Sequence, residues 1–268
     1  MTRETSPCRF EALFFGGFDL RRGDQPMVLG RQWSSLELCR YLIAQRGRLV
    51  PRDELLEVLW PDSATTPNEL HRLHVAVSTL RRIVDPAGAP HSFVSLEGEC
   101  YSISTNVVAT DFARFDLSYT RATRFLAEGD CTSAAAAFRD AIALYRGDFL
   151  ADHPYAEWTH LLRAHFRERR LTALTVLCEC AERARELREV IELAAEILVV
   201  DNLRESAHRH LMRARYNSGE RGLAIRQFET CARLMRSELG VDPSPHTQRL
   251  YEAIRDDRDL PLEPSIIP

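Results

Sequence analysis

The feature that most constrains this 268-residue chain is a change of hydrophobic period near residue 111. Before it, short apolar runs alternate with Gly, Pro and Asp turn signals and with three segments of helical period; after it, Ala, Leu, Arg and Glu recur with helical period to the end and strand signals stop. One core cannot serve both patterns, so the sequence predicts two domains, 1–110 and 111–256, and a fraying tail over 257–268. Length alone favours the same count.

In the first half, Phe10–Phe15, Phe18–Leu20 and Pro26–Leu29 are short runs separated by Gly16-Gly17 and Arg22-Gly23-Asp24, which predicts three or four short antiparallel strands. Ser34 or Ser35 can cap a helix through Gln45, with Leu36, Cys39, Leu42 and Ile43 inward. Pro51 opens a second helix, with Asp53 and Glu54 near its positive end and Trp60-Pro61 closing it. After a polar loop, Asp62–Thr66, a third helix runs from Pro67 to Val84. A Pro/Gly connector then leads to Phe93–Leu96 and Cys100–Ile103, two strands joined by Glu97-Gly98-Glu99, a hairpin signal.

The third helix is the candidate functional element. Leu70, Leu73, Val77, Leu80 and Val84 recur at three- and four-residue spacing and form a core stripe. The opposite side carries His71, Arg72, His74, Val75, Ser78, Thr79 and Arg82, the cations, hydroxyls and small apolar groups that read phosphates and base edges. A solvated amphipathic helix would show a polar face too. The order of strands, three helices and a hairpin adds what the helix alone lacks, because in three-helix DNA-binding modules the last helix enters the major groove and the hairpin touches the backbone.

Charge limits how such a contact can be made. The 35 basic residues are all arginine, and the net charge is −4. With no lysine there is no P-loop, Schiff-base or kinase lysine. Residues 1–110 hold 12 Arg against 13 acids, so a nucleic-acid contact must be local. Seven cysteines without a repeating spacing fit reduced thiols, no apolar run nears the ~20 residues of a membrane span, and Met1–Arg9 lacks a signal-peptide core. A cytoplasmic protein is expected.

Residues 9–105 resemble the OmpR/PhoB type of winged helix. The resemblance rests on Leu49-Val50-Pro51-Arg52-Asp53-Glu54-Leu55 into Leu59-Trp60, on Val75-Ala76-Val77-Ser78-Thr79-Leu80-Arg81-Arg82 and on Gly98-Glu99-Cys100-Tyr101. It implies that Arg72, His74, Val75, Ser78, Thr79 and Arg82 face the groove, with Ser95, Glu97 and Tyr101 at wing contact positions. Where that family usually has a basic residue, this chain has Thr79 and Glu97, with a second acid at Glu99. Carboxylates repel phosphate, so weak or partner-assisted binding is expected.

In the second half, Gly129, Ala134 and Phe138 repeat the spacing of Gly219, Ala224 and Phe228, with a degenerate copy at Arg185–Ala194 between them. Arg185 to Gly219 spans 34 residues, the period of tetratricopeptide (TPR) repeats. Helical hairpins are predicted: Phe112–Leu126 with Ser133–Leu144, about Trp158–Ala184 with Leu187–Val199, Leu203–Tyr216 with Gly222–Leu239, then a capping helix Pro245–Ile254. Ala134 and Ala224 let helices approach while Phe138 and Phe228 fill the space between.

Five phrases in order, Thr110–Phe115, Tyr145–Asp152, Leu203–Glu205, Gly219–Ala224 and Glu238–Pro245, are similar to the bacterial transcriptional activation domain of the Streptomyces antibiotic regulatory protein (SARP) family. The resemblance covers about residues 9–256. It implies an α+β winged helix-turn-helix followed by an all-α TPR-like repeat domain, binding direct repeats of double-stranded promoter DNA beside the −35 region, self-association on that DNA, recruitment of RNA polymerase, and no cofactor.

The remaining clusters point to structure rather than chemistry. Cys178 and Cys180 sit two apart on a helix and point to different faces. His71 with His74, and His208 with His210, lack further ligands nearby, so solvated or groove-facing roles are expected rather than metal. Tyr155 and Trp158 are read as a plug between helix pairs, and Arg163, Arg167, Arg169 and Arg170 as a solvated face. No phosphate loop, nucleophile elbow or metal-spaced ligand set points to an enzyme. The alternatives kept open are a non-DNA-binding TPR-like adaptor and a sensor with a small molecule in the concave face of the array.

Overall fold

The computed structural model describes residues 10–29, 33–61, 67–85 and 92–260. The expectations for Met1–Arg9, for the Asp62–Thr66 loop, for the Pro/Gly connector and for the residues after Leu260 lie outside the described residues. The chain forms two compact units, and the first is discontinuous: the described residues up to Ala113 together with Arg146–Arg163. The second comprises Arg114–Tyr145 and the described residues from Ala164.

In the first unit, β1 (Phe10–Leu13), β2 (Asp19–Arg22) and β3 (Gln25–Pro26) form the expected antiparallel meander, with Ala12 opposite Leu20. A strand not legible in the sequence, β7 (Val108–Thr110), adds to β1 in parallel, giving the order β3-β2-β1-β7. Between them lie α1 (Trp33–Ala44), β4 (Val50–Pro51), α2 (Arg52–Leu59), α3 (Pro67–Val84), β5 (Ser95–Glu97) and β6 (Cys100–Ser102). The second sheet has the order β4-β6-β5, so β4 backs the hairpin, with Val50 and Leu96 both opposite Tyr101. Leu38, Leu42, Leu55, Leu59, Leu73 and Leu80 are buried, and Phe10 meets Phe93 edge-on at 5.0 Å.

The segment from Arg146 to Arg163 closes this unit. Phe149 stacks on Phe14 at 5.1 Å, the Leu150 N–H donates to the Phe14 carbonyl at 2.8 Å, and the Gly16 N–H donates to the Asp148 carbonyl at 3.0 Å. A Cβ on Gly147 would stand 2.9 Å from the Gly16 Cα, so only glycine permits the approach. The buried Asp111 carboxylate accepts N–H bonds from Phe14 (2.9 Å), Phe15 (3.0 Å) and Phe112 (2.8 Å) and pairs with Arg146 at 3.2 Å. Burial outweighs these bonds and holds its carboxyl above the ordinary aspartate value. The phrase Tyr145–Asp152 therefore encodes a packing device.

Trp158 corrects one expectation. It lies in a 3₁₀ turn, Glu157–Thr159, packs edge-on against Tyr41 at 5.2 Å and donates to Glu37 Oε1 at 2.7 Å. It is thus a plug against α1, not between helix pairs, and Tyr155 is 92% exposed. Arg163 is not solvated either: it donates to the carbonyls of Phe149, Leu150, His153 and Pro154 at 3.1–3.4 Å.

The rest of the chain is helical: α4 (Asp111–Ala127), α5 (Cys131–Leu144), α6 (His160–Ala184), α7 (Leu187–Val200), α8 (Glu205–Asn217), α9 (Arg221–Leu234) and α10 (Pro245–Arg255), the second unit taking α4 from Arg114 and α6 from Ala164. Asp130 caps α5 by accepting the Ser133 N–H at 3.0 Å. Ala134, Phe138 and Ala224 are fully buried, while Phe228 is half-buried and stacks on Tyr251 at 4.0 Å. The helix expected to run to Leu239 ends at Leu234 and continues as a π turn, Met235–Leu239, stopped by Gly240 in the left-handed region.

Two surface expectations fail here because side chains find internal partners. His208 and His210 are buried; His208 Nε2 lies 2.9 Å from the Asn202 carbonyl and its Nδ1 2.7 Å from Gln227, while His210 pairs with Glu182 at 2.9 Å. Arg169 pairs with Asp116 at 2.5 Å and Arg170 with Glu196 at 2.6 Å, so the arginine run braces helices instead of forming a solvated face. Cys178 is buried, and burial pushes its thiol well above the ordinary value. Among the described residues no helix is long and apolar enough to cross a membrane.

Candidate nucleic-acid interface

The 18 residues of α3 rise about 27 Å, and tertiary contacts fix the helix along that length. Leu73, Ala76, Val77, Leu80 and Val84 are buried, and Ser35 Oγ of α1 donates to the Ala76 carbonyl at 3.2 Å. At its C-terminal end Arg22 donates to the Val84 carbonyl, and the Asp85 carboxylate accepts the Phe93 N–H at 2.9 Å. Arg81 donates to the Val94 carbonyl at 2.7 Å, which ties the helix to the hairpin. The element is thus pinned at its middle by α1 and at its C-terminal end by Arg22 and the segment leading into the hairpin.

Its outer face carries His71, Arg72, His74, Val75, Ser78 and Arg82, all exposed, with Val75 at 43%. Asn68, one turn before Arg72, joins them; sequence reasoning passed over it because it stands so near the helix start. The acid of this helix, Glu69, is buried, so the exposed face holds two arginines, two histidines and no carboxylate. In a chain of net charge −4, this face is a local concentration of arginine. The Arg72 guanidinium lies over the Trp60 ring at 4.4 Å, which orients it without neutralising it.

Two expected contact residues are not on this surface. Thr79 is 8% exposed and Tyr101 3% exposed, the latter locked between β4 and β5 with its hydroxyl held above the ordinary tyrosine value by burial. Both belong to the core. Ser95 is half-buried on β5, and Glu97 is exposed at the hairpin's end. The second wing acid is compensated: Glu99 pairs with Arg52 at 2.8 Å, and its carbonyl accepts the Arg52 N–H at 2.9 Å. The opening pair of α2 thus anchors the wing.

Residues 110–255 match the model of the bacterial transcriptional activator domain, and residues 32–103 match that of the transcriptional regulatory protein C-terminal domain. The chain belongs to the SARP family of transcriptional activators. It is 30% identical over 214 residues to the regulatory protein AfsR of Streptomyces coelicolor, covering 80% of this chain but 21% of AfsR. It is 28% identical over 222 residues to the regulatory protein DnrI of Streptomyces peucetius, covering 80% of each. This SARP chain thus spans about a fifth of one relative and four fifths of the other. The fold is shared with Mycobacterium tuberculosis EmbR, solved in complex with a low affinity phosphopeptide, at a TM-score of 0.80 and 22% identity over 94% of this chain and 66% of that one. A winged helix followed by a TPR-like helical unit is therefore the architecture of this SARP protein, as the sequence implied.

Proposed function

We propose that this chain activates transcription by laying the outer face of α3 into the major groove of promoter DNA, with the β5–β6 hairpin against the backbone. The observation that carries the reading is the acid-free face of Asn68, His71, Arg72, His74, Val75, Ser78 and Arg82 on a helix pinned at its C-terminal end. Arginines supply phosphate contacts or bidentate guanine readout, and Val75 supplies an apolar contact for a thymine methyl. The relatives AfsR and DnrI are regulatory proteins, which supports the same reading. Two copies on direct repeats beside the −35 region would gain affinity through effective concentration and present the helical unit to RNA polymerase.

The test is a gel shift with the promoter DNA of the neighbouring genes. Arg72→Ala with Arg82→Ala is expected to weaken binding by about 1–3 kcal/mol per base-reading arginine and to flatten the salt dependence, with the far-UV circular dichroism unchanged. Unchanged affinity would overturn the assignment. Footprinting is expected to show spaced, directly repeated protection. The exposed Glu97 on the wing favours a second reading, an adaptor whose winged helix docks on protein; absence of any duplex binding at low salt would select it.

A further inference from the structure

On the reading of α3 as the groove helix, we infer that Trp60 is the positioning residue that makes Arg72 a guanine reader and leaves phosphate contact to Arg82. Trp60 closes α2, its N–H donating to the Leu56 carbonyl at 2.8 Å, so its indole is a platform carried by the backbone of a different helix. The Arg72 guanidinium lies over that ring at 4.4 Å and, among the described residues, meets no carboxylate or carbonyl. Other arginines of the same unit are engaged: Arg48 with Glu54, Arg52 with Glu99 and Arg81 with the Val94 carbonyl.

Stacking and charge serve different contacts. A phosphate oxygen accepts an N–H from many directions, so a freely turning guanidinium suffices for it. A guanine edge presents N7 and O6 in one plane and requires the guanidinium to meet both at once. A guanidinium held over an indole has one side covered and its swing restricted, while the N–H edge of the exposed Arg72 stays open. The ordering of a long side chain that binding otherwise requires is thus done before DNA arrives.

Position on the helix agrees. Arg72 stands in the first half of α3, and in helix-turn-helix proteins the N-terminal residues of the recognition helix reach base edges. Arg82 stands near the other end and, among the described residues, lies over no ring. Beside Arg72 is a hollow of about 400 Å³ lined by Trp33, Ser34, Trp60, His71 and Val75, with no carboxylate among the described residues. Its apolar walls suit the body of a base or sugar better than a hydrated phosphate.

The test selects duplexes from a random-sequence pool with the full chain, sequences those retained, and titrates salt on the best duplex. A guanine favoured by about tenfold or more over other bases is expected, and Arg72→Ala is expected to erase that preference. Trp60→Leu is expected to reduce it by about two- to tenfold, with other positions and the salt slope unchanged, while Trp60→Phe keeps an aromatic platform and most of the preference. Arg82→Ala is expected to do the reverse, weakening all sequences alike and flattening the salt slope. Arg72→Lys keeps the charge at an exposed position, so it decides the readout even where Trp60→Leu loses the circular dichroism of the folded chain; the guanine preference is expected to fall with the salt slope retained. A uniform loss across sequences in Trp60→Leu, or a guanine preference unchanged in Trp60→Leu or Arg72→Lys, would overturn the proposal and leave α3 as the groove helix. Failure of the unaltered chain to retain any duplex would overturn the groove reading and this assignment with it.

Discussion

Thr79 and Arg72 show how far a single position can be read from a helical pattern. At ~100° per residue, Thr79 falls on the outer arc between Asn68 and Arg72, and periodicity alone assigns it to the groove. The structure buries it, because packing against neighbouring elements covers that flank of α3, and tertiary cover leaves no mark in local spacing. An arginine there therefore does not restore a missing phosphate contact. Thr79→Arg is expected to destabilise the protein by about 1–3 kcal/mol, the cost of forcing a charge into a packed site, read as a lower urea midpoint with an unchanged slope. Arg72 differs from Arg82 in resting on Trp60, so Arg72→Ala also forfeits roughly 0.5–1 kcal/mol of cation–π packing. Arg82→Ala is the cleaner probe of DNA contact.

At the level of elements, the helices were legible and two of the strands were not. An 18-residue amphipathic segment such as α3 contains several turns of evidence, whereas β4 and β7, as short as β3, β5 and β6, lack the turn signals that mark those strands; both exist because β6 and β1 offer them an edge. The arc of the candidate site was legible for the same reason, except where cover from other elements decided the outcome. His208 on α8 is the counterpart in the helical unit. Its Nε2 must donate to the Asn202 carbonyl, which leaves Nδ1 to accept from Gln227, so the ring is held neutral, and burial pushes its pKa below the ordinary value. Above the unfolded-state value of about 6.5 neither state binds the proton and nothing is lost. As pH falls through that value, the unfolded chain gains a proton that the folded ring refuses, and stability drops until the lower folded value is reached. The urea midpoint is expected to decline between about pH 7 and pH 5, and His208→Gln is expected to remove this part of the slope. An identical slope in the variant would assign the pH response to other groups.

For the molecule as a whole, the change of period at residue 111 locates where strands give way to helices, but it is not where the first compact unit ends. That unit recruits Arg146–Arg163 from within the helical half of the sequence. The reason lies in what residues 10–113 lack on their own. Phe14 needs Phe149 as a stacking partner, Asp111 needs Arg146, Arg40 needs Asp152, and Glu37 needs Trp158. Losing the segment would uncover Phe14 and Tyr41 and remove the buried Phe149 and Leu150. At about 1.5–3 kcal/mol for each large apolar side chain, and with three buried charged side chains stripped of partners, the deficit rivals the ~5–15 kcal/mol that holds an ordinary domain together. A fragment of residues 1–110 is therefore expected to lack a cooperative urea transition and the near-ultraviolet circular dichroism of packed aromatic side chains such as Tyr41, while the full chain shows both. In the full chain, Phe149→Ala with Trp158→Ala should lower the same transition by several kcal/mol. A fragment that unfolds cooperatively at the midpoint of the full chain would show that the segment merely rests on the winged helix.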